Sequence, residues 1–570
     1  AATKGYQPLI LRVENPAEEP RDLEVHVQGG WGNSGLTMQR SLTVGAGERR
    51  EVELLVPAYV FDSREFRLQL NSGSDRSYTG GLGSTASLAA YTHLVAVFDG
   101  DATQAGHSEA WSLALSPAGS THSWGKSRWR HHGLHLAKDW DANVGVVVGV
   151  VPFEDMSRRW EAYSSLDVAL VDTERGLPPG PELEALMAWV RLGGVAILTG
   201  EDVNRTLAGI PAVDEWRDAR FALPGPVEPG PGGALISGVQ RYQCGFGRLL
   251  VVPRDGKLED ERIAAATLAE LRQRVRSDWT PSSTGSRGTG EGLRPRIPGL
   301  GAVPYRTFVA LMILFAIVVG PVNFIWTRKR KKPVALLFTI PLIAVVGSVL
   351  ALGYGFLGQG ISIRTHSDTV ALLDQRSGLV AGAEVRALYA GLAPGSGLTP
   401  GQGTAVFPWG VDLVNRDEVR YDIRHGEQTS YRAGYLPSRI LVRQALLTAR
   451  GSKLRLGVES AGGACTVENG LGVDLEELVV HDAAGGWFRL AGSLEAGGSA
   501  QLERLAGPPA AGDPGGALRT FHPEAAPVLP RGSYAARTTA PAFRDDCGID
   551  VVDVGGSHHL LGVLPEEAGR

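Results

Sequence analysis

The sequence is short of the residues that build stapled or metal-bound folds. Its 570 residues include three cysteines, Cys244, Cys465 and Cys547. That number excludes a disulfide-built scaffold, and no CxxC pair suggests a zinc ribbon or thiol redox motif. There is no Gly-rich phosphate loop and no GxSxG, so neither a P-loop NTPase nor an α/β-hydrolase nucleophile elbow is written here. Excess positive charge is also missing. A net charge of −5 and a pI near 6.3 exclude a global basic footprint for nucleic acid. Lysine is scarce, with eight residues in all.

What is abundant points elsewhere. Glycine (75) and proline (34) occur without a collagen period, which suits turn-rich β structure and linkers. The chain is too long for one hydrophobic core, and three or four domains are expected. Arg far outnumbers Lys and Ala is common, a composition associated with high-GC bacterial genomes. The opening "AATKGY" has neither an initiator Met nor an apolar leader, as expected of a mature chain after loss of a signal peptide. Cys465 and Cys547 share the C-terminal region and are available to pair in an oxidising compartment, where geometry decides; Cys244 reads as a free thiol.

Three of the eight lysines fall in one heptapeptide, "TRKRKKP", Thr327 to Pro333. Its flanks are the two most apolar runs of the chain. Phe308 to Trp326 is 19 residues without a formal charge, and Val334 to Leu357 is 24. A bilayer core needs about 20 apolar helical residues, so each run is long enough to span. Core helices of soluble proteins carry a polar face that these runs lack. The sequence therefore predicts a transmembrane helical hairpin over 305–358. Pro321 and Pro341 are tolerable inside such helices. Asn323 is the one strongly polar side chain within a span, a candidate contact across the hairpin or to a partner helix. Arg328, Lys329, Arg330, Lys331 and Lys332 mark the loop as cytoplasmic by the positive-inside rule and available to anionic lipid head groups. Both long arms then lie outside.

Residues 1–88 alternate apolar and polar positions: Leu9, Leu11, Val13; Leu23, Val25, Val27; Val52, Leu54, Val56; Phe66, Leu68, Leu70. Period two predicts strands with one buried face, hence a small β-sandwich. Over 89–276 the pattern becomes short continuous apolar runs: "HLVAVFDG", "NVGVVVGVV", "LDVALVD", "GGVAILTG" and "GRLLVVP". Such runs suit strands buried on both faces of a parallel sheet. "PPGPELEALMAWVRLGG" interrupts them at helical spacing, and a second helical pattern runs from Leu258 to Arg276. This alternation predicts a doubly wound α/β domain. Residues 277–304 form a Ser/Gly/Pro linker. Residues 359–570 return to strands and predict a second β-sandwich with a Pro/Gly-rich tail. Within it "VENGLGVDLEELVV" reads as a hairpin.

Two resemblances sharpen the reading. "LILRVENPAEEPRDLEVHV" is similar in style to the immunoglobulin-like modules found outside bacterial membranes. "WEAYSSLDVALVD", "LEALMAWVRLGGVAILTG" and "CGFGRLLVVP" resemble the class I glutamine amidotransferase-like domain of bacterial membrane-anchored proteins, over roughly 90–275. A catalytic member of that class needs a Cys on a tight strand-to-helix elbow. Here the corresponding stretch is "LTGED", Leu198 to Asp202, without a cysteine, and Cys244 precedes a strand. The resemblance implies the fold and argues against amidotransferase chemistry.

A third resemblance suggests a different chemistry. "LVAVFDGDAT" resembles the first motif of haloacid-dehalogenase-like phosphatases, an apolar strand followed by DxDxT. It implies Asp99 as phosphoryl acceptor and Asp101 as general acid/base, with Thr199 in "AILTG" as the second-motif hydroxyl. Asp255 and Asp260, with Asp99 and Asp101, are the implied Mg²⁺ ligands. The family's lysine has only Lys257 as a counterpart. A separate candidate is "RWRHHGLHLAKDWD", where His132, His135 and Asp139 would share a helix face and suit zinc, although Gly133 interrupts the helix.

The expectation is thus a multidomain α/β plus all-β protein anchored by a hairpin in a bacterial cytoplasmic membrane, with both arms extracytoplasmic. It is expected to be a non-catalytic scaffold or accessory subunit of an envelope complex, without a cofactor. Its partners would be membrane lipid and other membrane or periplasmic proteins. The alternative is a Mg²⁺-dependent phosphatase-like hydrolase using Asp99 and Asp101.

Overall fold

A computed structural model describes residues 5–29, 35–57, 65–72, 75–83, 92–100, 135–138, 145–201, 239–253, 263, 266–267, 270, 297–298, 305–330, 334, 336–359, 362–408, 420–426, 428–461, 463–508, 529 and 531–565. The described chain is strand-rich and contains several sheets.

Six strands open the chain: β1 (Tyr6–Glu14), β2 (Arg21–Gly29), β3 (Gly35–Val44), β4 (Arg49–Pro57), β5 (Glu65–Ser72) and β6 (Asp75–Gly83). Strand β2 shows why they form. Leu23, Val25 and Val27 are buried, while Glu24 and Gln28 between and beside them are exposed. β1 and β4 pair antiparallel as a two-stranded sheet, and β2 lies between β3 and β5 in another.

The next seven strands make one sheet: β7 (Thr92–Asp99), β8 (His135–Lys138), β9 (Gly145–Pro152), β10 (Val168–Asp172), β11 (Val195–Gly200), β12 (Gln240–Cys244) and β13 (Gly247–Pro253). Its order is β12-β13-β11-β10-β7-β9-β8. The interior pairs are parallel, and the outermost strands β12 and β8 join antiparallel. Val168 to Asp172 is buried at every position, as a strand covered on both faces must be. On one face sit helix α1 (Gly180–Arg191) and the 3-10 turn Trp160–Tyr163. On the other sit Ile263 and Ala266 against Val97, Leu170 and Ile197. Gly247 is required at the start of β13, because a Cβ there would collide with the Val190 carbonyl at the end of α1.

Helix α2 (Tyr305–Ile317) continues through a π-helical turn, Val318–Val322, into α3 (Asn323–Lys329). Pro321, which has no N–H to donate, lies in the widened turn. Among the described residues one helical span, Val309–Lys329, is long and apolar enough to cross a membrane, with mean hydropathy 2.4 over its most apolar window. At 1.5 Å per residue it is about 31 Å long, the thickness of a hydrocarbon core. Helix α4 (Leu336–Gln359) follows, with a shorter apolar stretch at Leu336–Leu350. It packs against the first helix, with Gly347 facing the Phe315 ring.

The C-terminal arm holds β14 (Ile363–Asp374), β15 (Leu379–Ala390), β16 (Thr404–Pro408), β17 (Arg420–His425), β18 (Thr429–Ala433), β19 (Leu441–Gly451), β20 (Arg455–Ala461), β21 (Ala464–Gly470), β22 (Leu475–His481), β23 (Trp487–Arg489), β24 (Ser499–Leu505), β25 (Ser533–Thr538), β26 (Val551–Asp553) and β27 (His558–Val563). The main path is β16-β19-β15-β14-β27-β25-β22-β23-β24-β21-β20, with β26 against the start of β14. Its β20-β21-β24 end folds back over the middle, burying Leu456, Cys465, Val467 and Leu502 against Leu373, Tyr534 and Leu560. The expected hairpin in "VENGLGVDLEELVV" is absent. β21 pairs with β20 and β24, whereas β22 pairs with β23 and β25.

The two arms share strands. β17 and β18 leave their own arm and join the N-terminal sheet, whose order is β18-β17-β3-β2-β5-β6. β17 lies parallel to β3, with Gly35 opposite Arg420 and Arg40 opposite His425. One hydrophobic cluster includes Val25 and Met38 from the first strands, Leu186 from α1, and Ile423 and Leu446 from the last arm. Strand periodicity shows which faces need covering but not what covers them, so the exchange was not legible.

The cysteines do not pair. All three are free and buried. Cys465 lies in the core of the folded-back sheet, and Cys547 belongs to the cluster common to both arms.

Candidate functional site

The carboxyl edge of the parallel sheet brings three of the sequence candidates or their neighbours into one row. Asp99 ends β7, Asp172 ends β10, and Thr199 lies on β11. In register, Asp172 is opposite Asp99 on one side and Thr199 on the other. All three are buried. The Asp172 carboxylate accepts the Glu174 N–H at 3.2 Å, and the Thr173 hydroxyl donates to the Thr199 carbonyl at 3.0 Å. These bonds tie down strand ends. The Thr199 hydroxyl has no hydrogen-bond partner among the described residues.

The rest of the implied phosphatase site, Asp101, Asp255, Asp260 and Lys257, lies outside the described residues, as do His132 and Asp139. Among the described residues no three His, Cys, Asp or Glu side chains converge as a metal site. His135 stands on strand β8, so the helical spacing expected of the histidines does not apply. Cys244 closes β12, and burial pushes its thiol up to about 12, opposed by Arg191. A thiol so strongly held in its neutral form is not a nucleophile at neutral pH.

The C-terminal arm contains a polar cluster that sequence reasoning missed. Arg386 on β15 is fully buried. Its guanidinium donates to the Asp545 carbonyl at 3.1 Å, the Gln444 amide oxygen at 3.2 Å and the Cys547 sulfur at 3.2 Å. Gln444 in turn donates to the Tyr435 carbonyl at 2.6 Å, and the Asp545 carboxylate takes the Cys547 N–H at 2.8 Å. Burial pushes the Cys547 thiol up to about 11, although Arg386 opposes it. Burial also raises the neighbouring Glu384 carboxyl, with Arg386 and Arg544 opposing. Beside this cluster is a cavity of about 30 Å³ lined by Glu384, Thr369, Gly382, Thr448, Phe543 and Arg544. That is room for two or three waters, not a substrate. The cluster clamps the segment before β26 onto the sheet. In "AGAEVRALYA" an arginine reads as a solvent-facing position, so no sequence signal marked it.

The seam between the arms is the most elaborate site. Tyr6 donates through its hydroxyl to the Val406 carbonyl, and its ring lies 5.2 Å from that of Phe407. The Trp160 indole donates to the Gly403 carbonyl at 3.2 Å. Tyr421 and Tyr431 both meet Tyr435 edge-on, at 5.0 and 4.9 Å. Glu53 accepts from the Ser157 hydroxyl at 2.6 Å, and Arg159 pairs with Glu161 at 3.2 Å. His425, on the exchanged strand, is held down to about 3 by burial and by Arg159 and Arg40. It is therefore neutral at any ordinary pH.

Between the apolar helices, α3 contacts α4, and Asn323 and Thr327 are the two buried residues of α3. The Asn323 amide nitrogen has no hydrogen-bond partner among the described residues. Thr327 bonds back to the Asn323 carbonyl at 2.9 Å. Arg330 stacks 4.3 Å over the Trp326 ring. Arg328 and Lys329 occupy the last turn of α3, while Lys331 and Lys332 lie outside the described residues.

No protein-family model matches the chain, and no curated protein matches it. Among solved structures it is similar to the yeast delta-COP-I mu-homology domain, at 8% identity and a TM-score of 0.16, over 35% of this chain and 95% of that one. The same domain complexed with a Dsl1 WxWxV peptide is similar to the same degree, over 96% of its length. Likeness at that level carries no argument about this chain.

Proposed function

We propose that this chain is a non-catalytic, membrane-anchored scaffold, an accessory subunit of a bacterial envelope membrane-protein complex. The observation that carries the reading is the parallel pairing of β3 with β17. These strands stand on opposite sides of the apolar helices in sequence. A single crossing would put them on opposite sides of a membrane, where they could not share a sheet. An even number of crossings is required, and α2–α3 with α4 supply two.

Orientation follows from the charges. The loop of Arg328, Lys329, Arg330, Lys331 and Lys332 faces the cytoplasm, and the joined arms face outward. The α/β unit is a degenerate amidotransferase-like domain that contributes a wall to the seam. Asn323 and the lipid-facing sides of the helices are the contacts available to partner helices within the membrane.

Topology is tested by labelling Lys331→Cys with an impermeant thiol reagent; the native cysteines are buried. Protection in intact cells and labelling after lysis are expected. Labelling from outside overturns the orientation. Recovery as a lone monomer from mild detergent counts against the complex-subunit reading. The runner-up, a Mg²⁺-dependent phosphatase, is favoured by one observation, the row of Asp99, Asp172 and Thr199. Phosphatase activity of the purified chain that is lost in Asp99→Asn would establish it and remove the scaffold-only reading.

A further inference from the structure

Large apolar side chains that stay exposed occur in two places among the described residues. One is the helical stretch 309–350. The other consists of Leu392, Ile440 and Val552, which are 60%, 45% and 51% exposed. These three are far apart in sequence but meet at one end of the C-terminal sheet. Val552 is paired with Arg364 at the start of β14. Ile363 beside it is paired with Ala390 at the end of β15, two residues before Leu392. Arg439, next to Ile440, donates its N–H to the Ala390 carbonyl at 2.7 Å. Ala393, next to Leu392, donates to the Ser438 hydroxyl at 2.8 Å.

That end of the sheet is also where the chain comes from the helices. Helix α4 ends at Gln359 and β14 begins at Ile363. Four residue steps reach at most about 14 Å. The other connection returns to the same place. Ile297, eight residues before α2, is buried against Ala387 and Tyr389 near the end of β15. Helix α4 has 24 residues and is about 36 Å long, enough to carry its last turn out of a hydrocarbon core of about 30 Å.

We propose that this rim of the C-terminal sheet is a lipid-contacting surface, with Leu392, Ile440 and Val552 entering the outer interfacial layer of the bilayer that holds the helices. The inference rests on the membrane-anchored reading above. Two tethers hold the rim within reach of the interface, where exposed apolar side chains are removed from water. The exposed Arg439 sits among them and keeps its charge in the head-group layer while its stem lies along the apolar surface. The helices thus fix the arms in the membrane, and the rim sets their tilt against it.

The test uses the full chain in phosphatidylcholine nanodiscs. Single cysteines replace Leu392, Ile440 or Val552 and carry an environment-sensitive fluorophore, with the unsubstituted chain as blank. Quenching by nitroxide lipids is compared with quenching by aqueous iodide. Phe338→Cys on α4 reports membrane insertion itself. Lys453→Cys reports the far end of the sheet, about 36 Å away by strand rise. The rim probes are expected to be quenched by shallow nitroxide lipids nearly as strongly as Phe338→Cys is, and to be shielded from iodide; Lys453→Cys is expected to show the reverse. Iodide-accessible rim probes with a lipid-quenched Phe338→Cys overturn the rim proposal and leave the anchor standing. A Phe338→Cys probe untouched by lipid overturns both.

Discussion

The interior of the parallel sheet and the seam between the arms are both buried, yet they are made of different material. The sheet interior is Val95, Val97, Leu170, Ile197 and Leu250, apolar side chains packed against one another. The seam sets tyrosines, arginines, Glu53 and His425 around a strand exchanged between arms. The first region is stabilised by area removed from water, and many apolar sequences would serve. The second requires particular donors opposite particular acceptors. Such a contact contributes less per residue but accepts one partner arrangement.

The comparison can be broken most forcefully at Ile423. It is fully buried in the seam, and Ile423→Asp would place an uncompensated charge there. We expect a loss of more than about 4 kcal/mol, with the arms parting while the parallel sheet stays folded. Limited proteolysis of the purified protein would show two resistant fragments. A uniform collapse would instead mean that sheet and seam form one cooperative unit. Leu170→Ala in the sheet interior should cost about 2–5 kcal/mol in thermal or denaturant unfolding and leave the arms joined.

Acid should separate the two regions as well. His425 is held near 3 in the folded chain and has an ordinary value near 6.5 when unfolded. Between those values the unfolded chain binds the extra proton. Stability from this group is fully present above about pH 6.5 and is lost as the pH falls toward 3. Glu53 works in the opposite sense. Burial raises its carboxyl, so its contribution is fully present at low pH and is lost as the pH rises through its raised value. Unfolding midpoints measured from pH 7 to pH 4 should fall for the native chain and less for His425→Gln. Equal slopes would remove His425 from the account. A smaller effect is expected from Tyr6→Phe, which removes one hydrogen bond to the Val406 carbonyl and should cost about 1 kcal/mol. At the sheet edge, Asp99→Asn should leave any activity of the chain unchanged.

The two regions also differ in how far the sequence announces them. Each of the five apolar runs over 89–276 is a strand of the seven-stranded sheet, because a strand buried on both faces must be apolar throughout. The apolar helix after Tyr305 was legible for a related reason: a helix long and apolar enough to cross a membrane shows as an unbroken uncharged run. The seam left no such trace. Arg40, Glu53, Arg159 and His425 look like ordinary surface residues, and Arg40 and Arg159 meet His425 only because β17 joins β3 from a distant part of the chain. Nor does Arg386 differ locally from any exposed arginine on an edge strand. Its partners, Gln444, Asp545 and Cys547, come from other parts of the arm. Periodicity encodes which face is buried, whereas long-range polar pairing is encoded only in the assembled fold. At the carboxyl edge the apolar runs that lead to Asp99, Asp172 and Thr199 are neighbouring strands, and register puts Asp172 between the other two.

The central claim is that arms separated in sequence by the membrane helices form one body on one side of the bilayer. Gln39 on β3 and Arg424 on β17 are register partners. Neighbouring strands lie about 4.8 Å apart, within the Cα separation a disulfide accepts. Gln39→Cys with Arg424→Cys in the membrane-embedded chain, treated with mild oxidant, is expected to cross-link within one molecule, and either single variant is not. Failure of the double variant to cross-link while the chain remains embedded and folded would contradict the account.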